Sequence, residues 1–247
     1  MNKPSSLSVV IPALNEEGNL EPSVKNLLTA MGPYFNSYEL LIINDGSTDG
    51  TGALAERLAH SNPYIRVIHH ERPLGLGASL RQGFDLATQE YVTWYAADDP
   101  MDGNSWERIF EQIGNADVLI SYMANPEFRP WIRRVLSQIY VRILNLLFGL
   151  RIRYYNGFTI YRRELIRSIQ TSARGFSILA EVLILALKSG HRPLEIPTYH
   201  RQRKQGTSKA FKFSNMKDIL KTLLRLIGIV YFKNGKKCLP SSSTAVV

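Results

Sequence analysis

Two adjacent carboxylates and a proline, Asp98-Asp99-Pro100, close the run Tyr91-Val92-Thr93-Trp94-Tyr95-Ala96-Ala97. Tyr91 to Tyr95 is β-branched and aromatic and reads as a short buried strand. Acid at the carboxyl end of such a strand lies where α/β sheets bind ligands. A turn that merely opens the next helix is the plainer alternative, since Asp and Pro favour turns. A second chemical cluster is basic: Arg201-Gln202-Arg203-Lys204-Gln205-Gly206-Thr207-Ser208-Lys209. Guanidiniums, hydroxyls and a glycine in one loop suit phosphate oxygens. In a third place, Arg133 and Ser137 stand four residues apart on a helical run and so are surface neighbours, with Arg134 beside them. The fourth is Glu181, the one acid in the apolar stretch Gly175 to Leu187. It is either a paired structural residue, the favoured reading, or a desolvated base.

The elements that position these groups follow from patterning. Leu7 to Ile11 is a continuous apolar strand, ended by Pro12-Ala13-Leu14-Asn15-Glu16-Glu17-Gly18-Asn19. Asn15 or Asn19 is expected to cap the helix through Leu28. Glu39 to Asn44 is a second strand, ended by Asp45-Gly46-Ser47-Thr48-Asp49-Gly50-Thr51, where Ser47, Thr48 or Asp49 caps a helix to about His60. Ile65 to His69 is a third, and Gly75-Leu76-Gly77-Ala78 enters a helix to about Thr88. Alternating strands and helices imply a doubly wound, mostly parallel sheet flanked by helices. Three polar loops then converge on one crevice. Neither a complete dinucleotide fingerprint nor a P-loop is present. An acidic crevice accepts phosphates when magnesium or manganese mediates, held by one or two carboxylates.

The 247 residues carry a formal charge of +9, and the charge is divided. Residues 1–128 hold 7 Lys/Arg and 17 Asp/Glu, a balance of −10; residues 129–247 hold the remaining 23 and 4, a balance of +19. The second half therefore suits an anionic partner. Trp131 to Leu150 has apolar residues at 131, 132, 135, 136, 139, 140, 143 and 144, a helical period, with Arg134, Gln138 and Arg142 on another stripe. Either it lies in a membrane interface or it is a core helix with a solvated basic face. Met216 to Phe232 is a second amphipathic helix, and Leu194 to His200 a short edge strand. No run reaches ~18 uninterrupted apolar residues, so no clear transmembrane span is expected. Leu7 to Leu14 is too short for a signal peptide and holds Pro12. Cys238 is the single cysteine, which excludes internal disulfides and a Cys-rich metal site. Nucleic-acid binding is not expected, because one basic run beside an acidic half would meet repulsion from a phosphate backbone.

The ordered segments Pro12-Ala13-Leu14-Asn15-Glu16, Asn44-Asp45-Gly46-Ser47-Thr48-Asp49-Gly50-Thr51, Gly75-Leu76-Gly77-Ala78 to Gly83, and Ala97-Asp98-Asp99 resemble the motifs of family 2 glycosyltransferases with a GT-A fold. The resemblance implies that Pro12, Ala13, Leu14, Asn15, Glu16, Asp45, Ser47 and Gly77 belong to the nucleotide-sugar site. It implies that Asp98 is the second acid of an Asp-x-Asp metal site. The first acid of that site falls on Ala96, and the first Asp of Asp-Asp-Gly-Ser falls on Asn44. Asp98 is then joined by Asp99 or Asp102 in holding Mg2+ or Mn2+.

In the second half, Arg133 with Ser137, Gly157-Phe158 with Tyr161-Arg162-Arg163, Glu195-Ile196-Pro197, and Arg203-x-x-Gly206-x-Ser208-Lys209 are similar to dolichol-phosphate mannose synthases and bacterial polyprenyl-phosphate glycosyltransferases. That branch usually carries an acid where Arg153 stands, and small or Cys/Ser residues at Tyr154-Tyr155-Asn156. The resemblance implies inverting transfer from a UDP- or GDP-sugar to an undecaprenyl or dolichyl phosphate. Arg203 would meet the departing diphosphate, and Arg133, Arg134, Ser137, Ser208 and Lys209 the acceptor phosphate. Residues 1–212 would form the GT-A domain, 213–237 a membrane-surface helix, and 238–247 a disordered tail. The chain would sit peripherally on the cytoplasmic side of an anionic membrane surface, with a separate membrane protein as a further possible anchor. The alternatives are transfer to a saccharide or lipid-linked oligosaccharide hydroxyl, with Glu181 as base, and a catalytically impaired binding protein.

Overall fold

The computed structural model describes residues 6–97, 101–200 and 213–232. In chain order its elements are β1 (Ser6–Ala13), α1 (Leu20–Met31), β2 (Ser37–Asn44), α2 (Thr51–Ser61), β3 (Ile65–His69), α3 (Leu76–Leu86), β4 (Tyr91–Trp94), α4 (Gly103–Phe110), β5 (Val118–Met123), α5 (Trp131–Phe148), β6 (Thr159–Arg162), α6 (Arg163–Ser168), α7 (Ser177–Lys188), β7 (Pro193–Thr198) and α8 (Phe213–Ile227). Among the described residues, seven strands form one sheet in the order β3-β2-β1-β4-β6-β5-β7.

β6 is antiparallel to both its neighbours, β4 and β5. All other pairings are parallel. β1 to β5 and β7 therefore bring their carboxyl ends to one edge, and the segment entering β6 starts there too. The expected mostly parallel sheet is present, and its polar loops do share an edge.

β2 shows why the sheet is covered on both faces. Leu40 and Ile42 enter one apolar cluster with α1, α2 and α4, whereas Leu41 and Ile43 enter the other with α3, α6 and α7. Alternation at period 2 sends neighbours to opposite faces, so a doubly covered strand reads as one apolar run. Trp106 of α4 packs edge-on against Tyr95 and Phe158. That contact ties the β4 end to the segment before β6.

Some local expectations change. Neither Asn15 nor Asn19 caps α1 through its side chain. Asn15 instead takes a left-handed backbone, φ 54°, a region its short polar side chain tolerates. Nor does Ser47, Thr48 or Asp49 stand as the cap of α2: Gly50 occupies that position with no side-chain cap, although the Asp49 carboxylate accepts the Thr51 N–H at 3.0 Å. β5 and β6 are not among the strands that the patterning marks out. No helix among the described residues is long and apolar enough to cross a membrane.

Candidate active site

The loops after β1 and β2 form one laced wall. The Asn15 N–H donates to Ser47 Oγ at 3.0 Å, and Thr48 N–H donates back to Asn15 Oδ1 at 2.9 Å. Glu16 N–H donates to Thr51 Oγ1 at 2.8 Å, and Gly50 N–H to Glu17 Oε2 at 3.0 Å. Each link satisfies a backbone donor that would otherwise need water. Pro12 and Ala13 end β1, and the Ala13 carbonyl accepts the Asp45 N–H at 2.9 Å. Leu14 is half-buried behind them.

Asp45 is buried, and its carboxylate holds the loop after β3. Oδ1 accepts the Leu74 N–H at 2.8 Å and lies 2.7 Å from His70 Nδ1; Oδ2 accepts the Gly75 N–H at 2.9 Å. His70 Nε2 in turn lies 2.6 Å from Gln82 Oε1 on α3. Gly46, with φ 67°, lets this loop pass: a Cβ there would strike the backbone of Arg72 and Pro73. Gly77 is needed for close approach, because a Cβ would run into the Ala173 carbonyl. The Gly77 N–H already donates to the Arg174 carbonyl at 2.8 Å.

Asp98, Asp99, Arg203, Ser208 and Lys209 lie outside the described residues. Their described neighbours meet: Met101 and His200 form an antiparallel bridge, and the Asp102 N–H donates to the Tyr199 carbonyl at 3.1 Å. The Asn125 side chain clamps His200, donating to its carbonyl at 2.9 Å and accepting its N–H at 3.1 Å. Asp102 is committed elsewhere, for its carboxylate accepts the Ser105 N–H at 2.9 Å and caps α4. Ala96 packs against the apolar cluster beneath α3 and α7. Among the described residues no three His, Cys, Asp or Glu side chains gather where they could hold a metal. In the sequence Asp98 and Asp99 follow β4, and carboxylate oxygens are the hard ligands that Mg2+ or Mn2+ takes alongside phosphate oxygens.

On the other side of the edge, α5 bounds a cleft of about 380 Å³. Arg134, Ser137 and Gln138 line it from α5, Tyr122 and Met123 from the end of β5, and Arg129, Arg153 and Tyr154 from the flanking loops. Arg133 is half-buried on the same helix. The sequence left two readings for α5, a helix in a membrane interface and a core helix with a solvated basic face. Leu144 and Phe148 enter the core, but Trp131, Ile132, Val135, Leu136, Ile139, Ile143 and Leu146 are all exposed. On α8, Thr222 and Leu226 face inward while Leu220 and Leu224 are exposed, as are Tyr231 and Phe232 just after it.

Glu181 is fully buried in α7. Its carboxylate accepts the Ala173 N–H at 2.9 Å and the Ser172 N–H at 3.2 Å, and it pairs with Arg225 of α8. Asp218 of α8 likewise accepts the N–H groups of Arg174 and Gly175. Two acids thus hold the 172–175 loop, the loop against which Gly77 packs.

The structure therefore brings the first-half candidates Pro12 to Glu16, Asp45 and Ser47 together, and Arg134 with Ser137 in a separate cleft. Glu181 joins neither group. Sequence reasoning passed over Arg129 and Tyr122, and noted Arg153 and Tyr154 only as departures from the branch's pattern. The departure at Arg153 was the one available signal.

A family described as glycosyl transferase family 2 matches residues 8–170. The polyprenol monophosphomannose synthase of Mycolicibacterium smegmatis is 31% identical over 214 residues, covering 81% of this chain and 79% of that one. The dodecaprenyl-phosphate galacturonate synthase of Rhizobium johnstonii is 24% identical over 235 residues, covering 93% and 68%. Among solved structures, the Mycobacterium tuberculosis glucosyl-3-phosphoglycerate synthase with Mg2+ and UDP aligns with a TM-score of 0.66. Its identity is 17%, and the match covers 98% of this chain and 83% of that one. At that identity the likeness concerns the fold.

Proposed function

The chain belongs to glycosyl transferase family 2, and from that premise we propose that it moves a sugar from a nucleotide diphosphate-sugar to a polyprenyl phosphate at a membrane surface. The observation that carries the acceptor half is the outward apolar row of α5, set beside a cationic cleft at the same sheet edge as the nucleotide loops. An acceptor with a long apolar tail and an anionic head needs both surfaces at once. The names of the two relatives, each a synthase of a polyprenyl-phosphate sugar, support this reading.

On the donor side, the laced loops after β1 and β2 would hold the nucleoside. The buried Asp45 would act by fixing the 70–75 loop beside it. Asp98 and Asp99 would hold Mg2+ or Mn2+, which when bound neutralises the diphosphate. Arg203 would stabilise negative charge on the departing nucleotide diphosphate. Arg133, Arg134 and Ser137 would orient the acceptor phosphate, with Ser208 and Lys209 as further contacts to it. A phosphate monoester has its second pKa near ~6 and is already a nucleophile at neutral pH. Attack opposite the leaving group inverts the anomeric carbon and needs no strong base. The engagement of Glu181 with backbone N–H groups and Arg225 agrees with that economy.

The test is transfer from radiolabelled UDP- and GDP-sugars to undecaprenyl or dolichyl phosphate in detergent, with magnesium, manganese or chelator. A chloroform-soluble labelled product is expected with one donor, and its loss with chelator. Product only with a saccharide hydroxyl would overturn the acceptor assignment.

A further inference from the structure

We propose that the cleft beside α5 is the seat of an anionic amphiphile's head, and that Arg129 and Arg153 are its anion-binding side chains. This rests on the acceptor reading above and adds to it two residues and a route of entry. Among the described residues three guanidiniums, from Arg129, Arg134 and Arg153, line the cleft, and no carboxylate does.

Two of the three are held in place by tyrosines. The Arg153 guanidinium lies 4.7 Å from the centre of the Tyr122 ring and donates to its hydroxyl at 2.7 Å. The Arg129 guanidinium lies 5.6 Å from the Tyr154 ring and donates to that hydroxyl at 3.2 Å. A planar guanidinium resting on an aromatic face keeps most of its five donors for a ligand.

The backbone carrying Arg153 is also fixed. Asn145 of α5 accepts the Ile152 N–H at 3.0 Å, donates to the Ile152 carbonyl at 2.9 Å, and accepts the Tyr155 hydroxyl at 2.7 Å. Glu195 of β7 accepts the Arg153 N–H at 2.7 Å, and its other oxygen stands 3.9 Å from Arg153 Nε. That carboxylate steadies the arginine from behind. The side chain remains 65% exposed, so a ligand can reach it.

The chemistry of the occupant comes from continuity. Trp131 and Val135 line the cleft and also belong to the exposed apolar row of α5. A molecule lying along that row with its tail would bring its head between the arginines. A phosphate oxygen pair matches the guanidinium fork, and the apolar row selects for a chain attached to it.

Trp131 supplies the readout, since Trp94 and Trp106 are buried while Trp131 is 65% exposed. Farnesyl phosphate, farnesol and inorganic phosphate would be titrated against the full chain in detergent, following tryptophan fluorescence, with Trp131→Phe as the silent control. Farnesyl phosphate is expected to bind at least about tenfold more tightly than either other probe. Arg153→Gln should weaken farnesyl phosphate about 10- to 100-fold, leave farnesol unchanged, and keep the thermal midpoint. Arg153→Lys should fall between, because it keeps charge without the fork. In transfer assays the same Gln variant should raise the acceptor KM and leave the donor KM alone. Equal binding of farnesol and farnesyl phosphate would overturn the proposal. So would an unaffected Arg153→Gln, or inorganic phosphate that binds as tightly as the lipid. Selective binding without transfer from any nucleotide-sugar would sink the proposed reaction and leave the cleft assignment standing.

Discussion

Met101 and His200 pair their backbones in an antiparallel bridge, so the chain just after Asp98-Asp99 is fastened to the chain just before Arg203. Asn125 clamps the same His200 from the end of β5. Two described residues that flank the acidic and the basic elements in the sequence, about a hundred residues apart, thereby meet.

That proximity predicts parallel losses. Asp98→Ala and Arg203→Ala should each lower turnover about 10²- to 10³-fold, with unchanged circular dichroism. Wild-type rates in either variant, measured with saturating donor and acceptor, would remove that residue from the site.

Glu181 should matter to stability rather than chemistry. Glu181→Ala strands the Arg225 charge and two N–H groups, and should cost about 3–5 kcal/mol in urea unfolding. Adding Arg225→Met should recover part of this. The folded fraction should turn over a phosphate acceptor at the wild-type rate. A Glu181→Gln protein that is well folded yet a hundredfold slower would mark Glu181 as a base.

Membrane attachment should depend on α5. Ile139→Ser with Leu146→Ser changes two exposed apolar residues that do not line the cleft. Each burial is worth about 1.5–3 kcal/mol when complete. The double variant should bind anionic vesicles at least about tenfold more weakly in a flotation assay. Unchanged flotation would assign the apolar row to a protein partner.

Glu39 predicts a pH dependence. Burial pushes its carboxyl up, but donors from Ser8, Thr88 and the Arg66 guanidinium outweigh that and hold it below the usual carboxylate range. Ser8 Oγ and Thr88 Oγ1 both donate to Oε1 at 2.7 Å, and Arg66 Nη1 donates to Oε2 at 3.1 Å. A folded value below the unfolded one adds stability that is complete above about pH 4.3 and is lost as pH falls through the folded value. Glu39→Gln should therefore unfold about 1–3 kcal/mol more easily at pH 7. The gap to wild type should narrow below about pH 4. A gap that stays constant with pH would show that the charge of Glu39 contributes nothing.

Much of the fold was legible in the chain itself. β1 and β2 carry unbroken apolar runs, Val9 to Ile11 and Leu40 to Ile43, because both their faces are covered, and short polar loops mark where each strand ends. Local chemistry of that kind survives in one dimension. The acid at Asp98-Asp99 and the split between an acidic and a basic half were plain for the same reason.

Tertiary structure decided what depends on neighbours. Whether the apolar stripe of α5 faces core or solvent is invisible to periodicity, since a helix has the same stripe either way; packing buried Leu144 and Phe148, set Tyr140, Val141 and Leu147 against the core, and left the other apolar residues exposed. Glu181 reads as strut rather than base by a small margin until Arg225 and the 172–173 amides are seen around it. Arg153 looked like a misplaced charge until the sheet brought Tyr122, from a strand thirty residues earlier, beneath its guanidinium. The sequence determined which groups the protein owns and which strand ends carry them. Only the closed sheet decided which groups meet, because distances between side chains far apart in the chain are set by strand order and by the layers packed on either face.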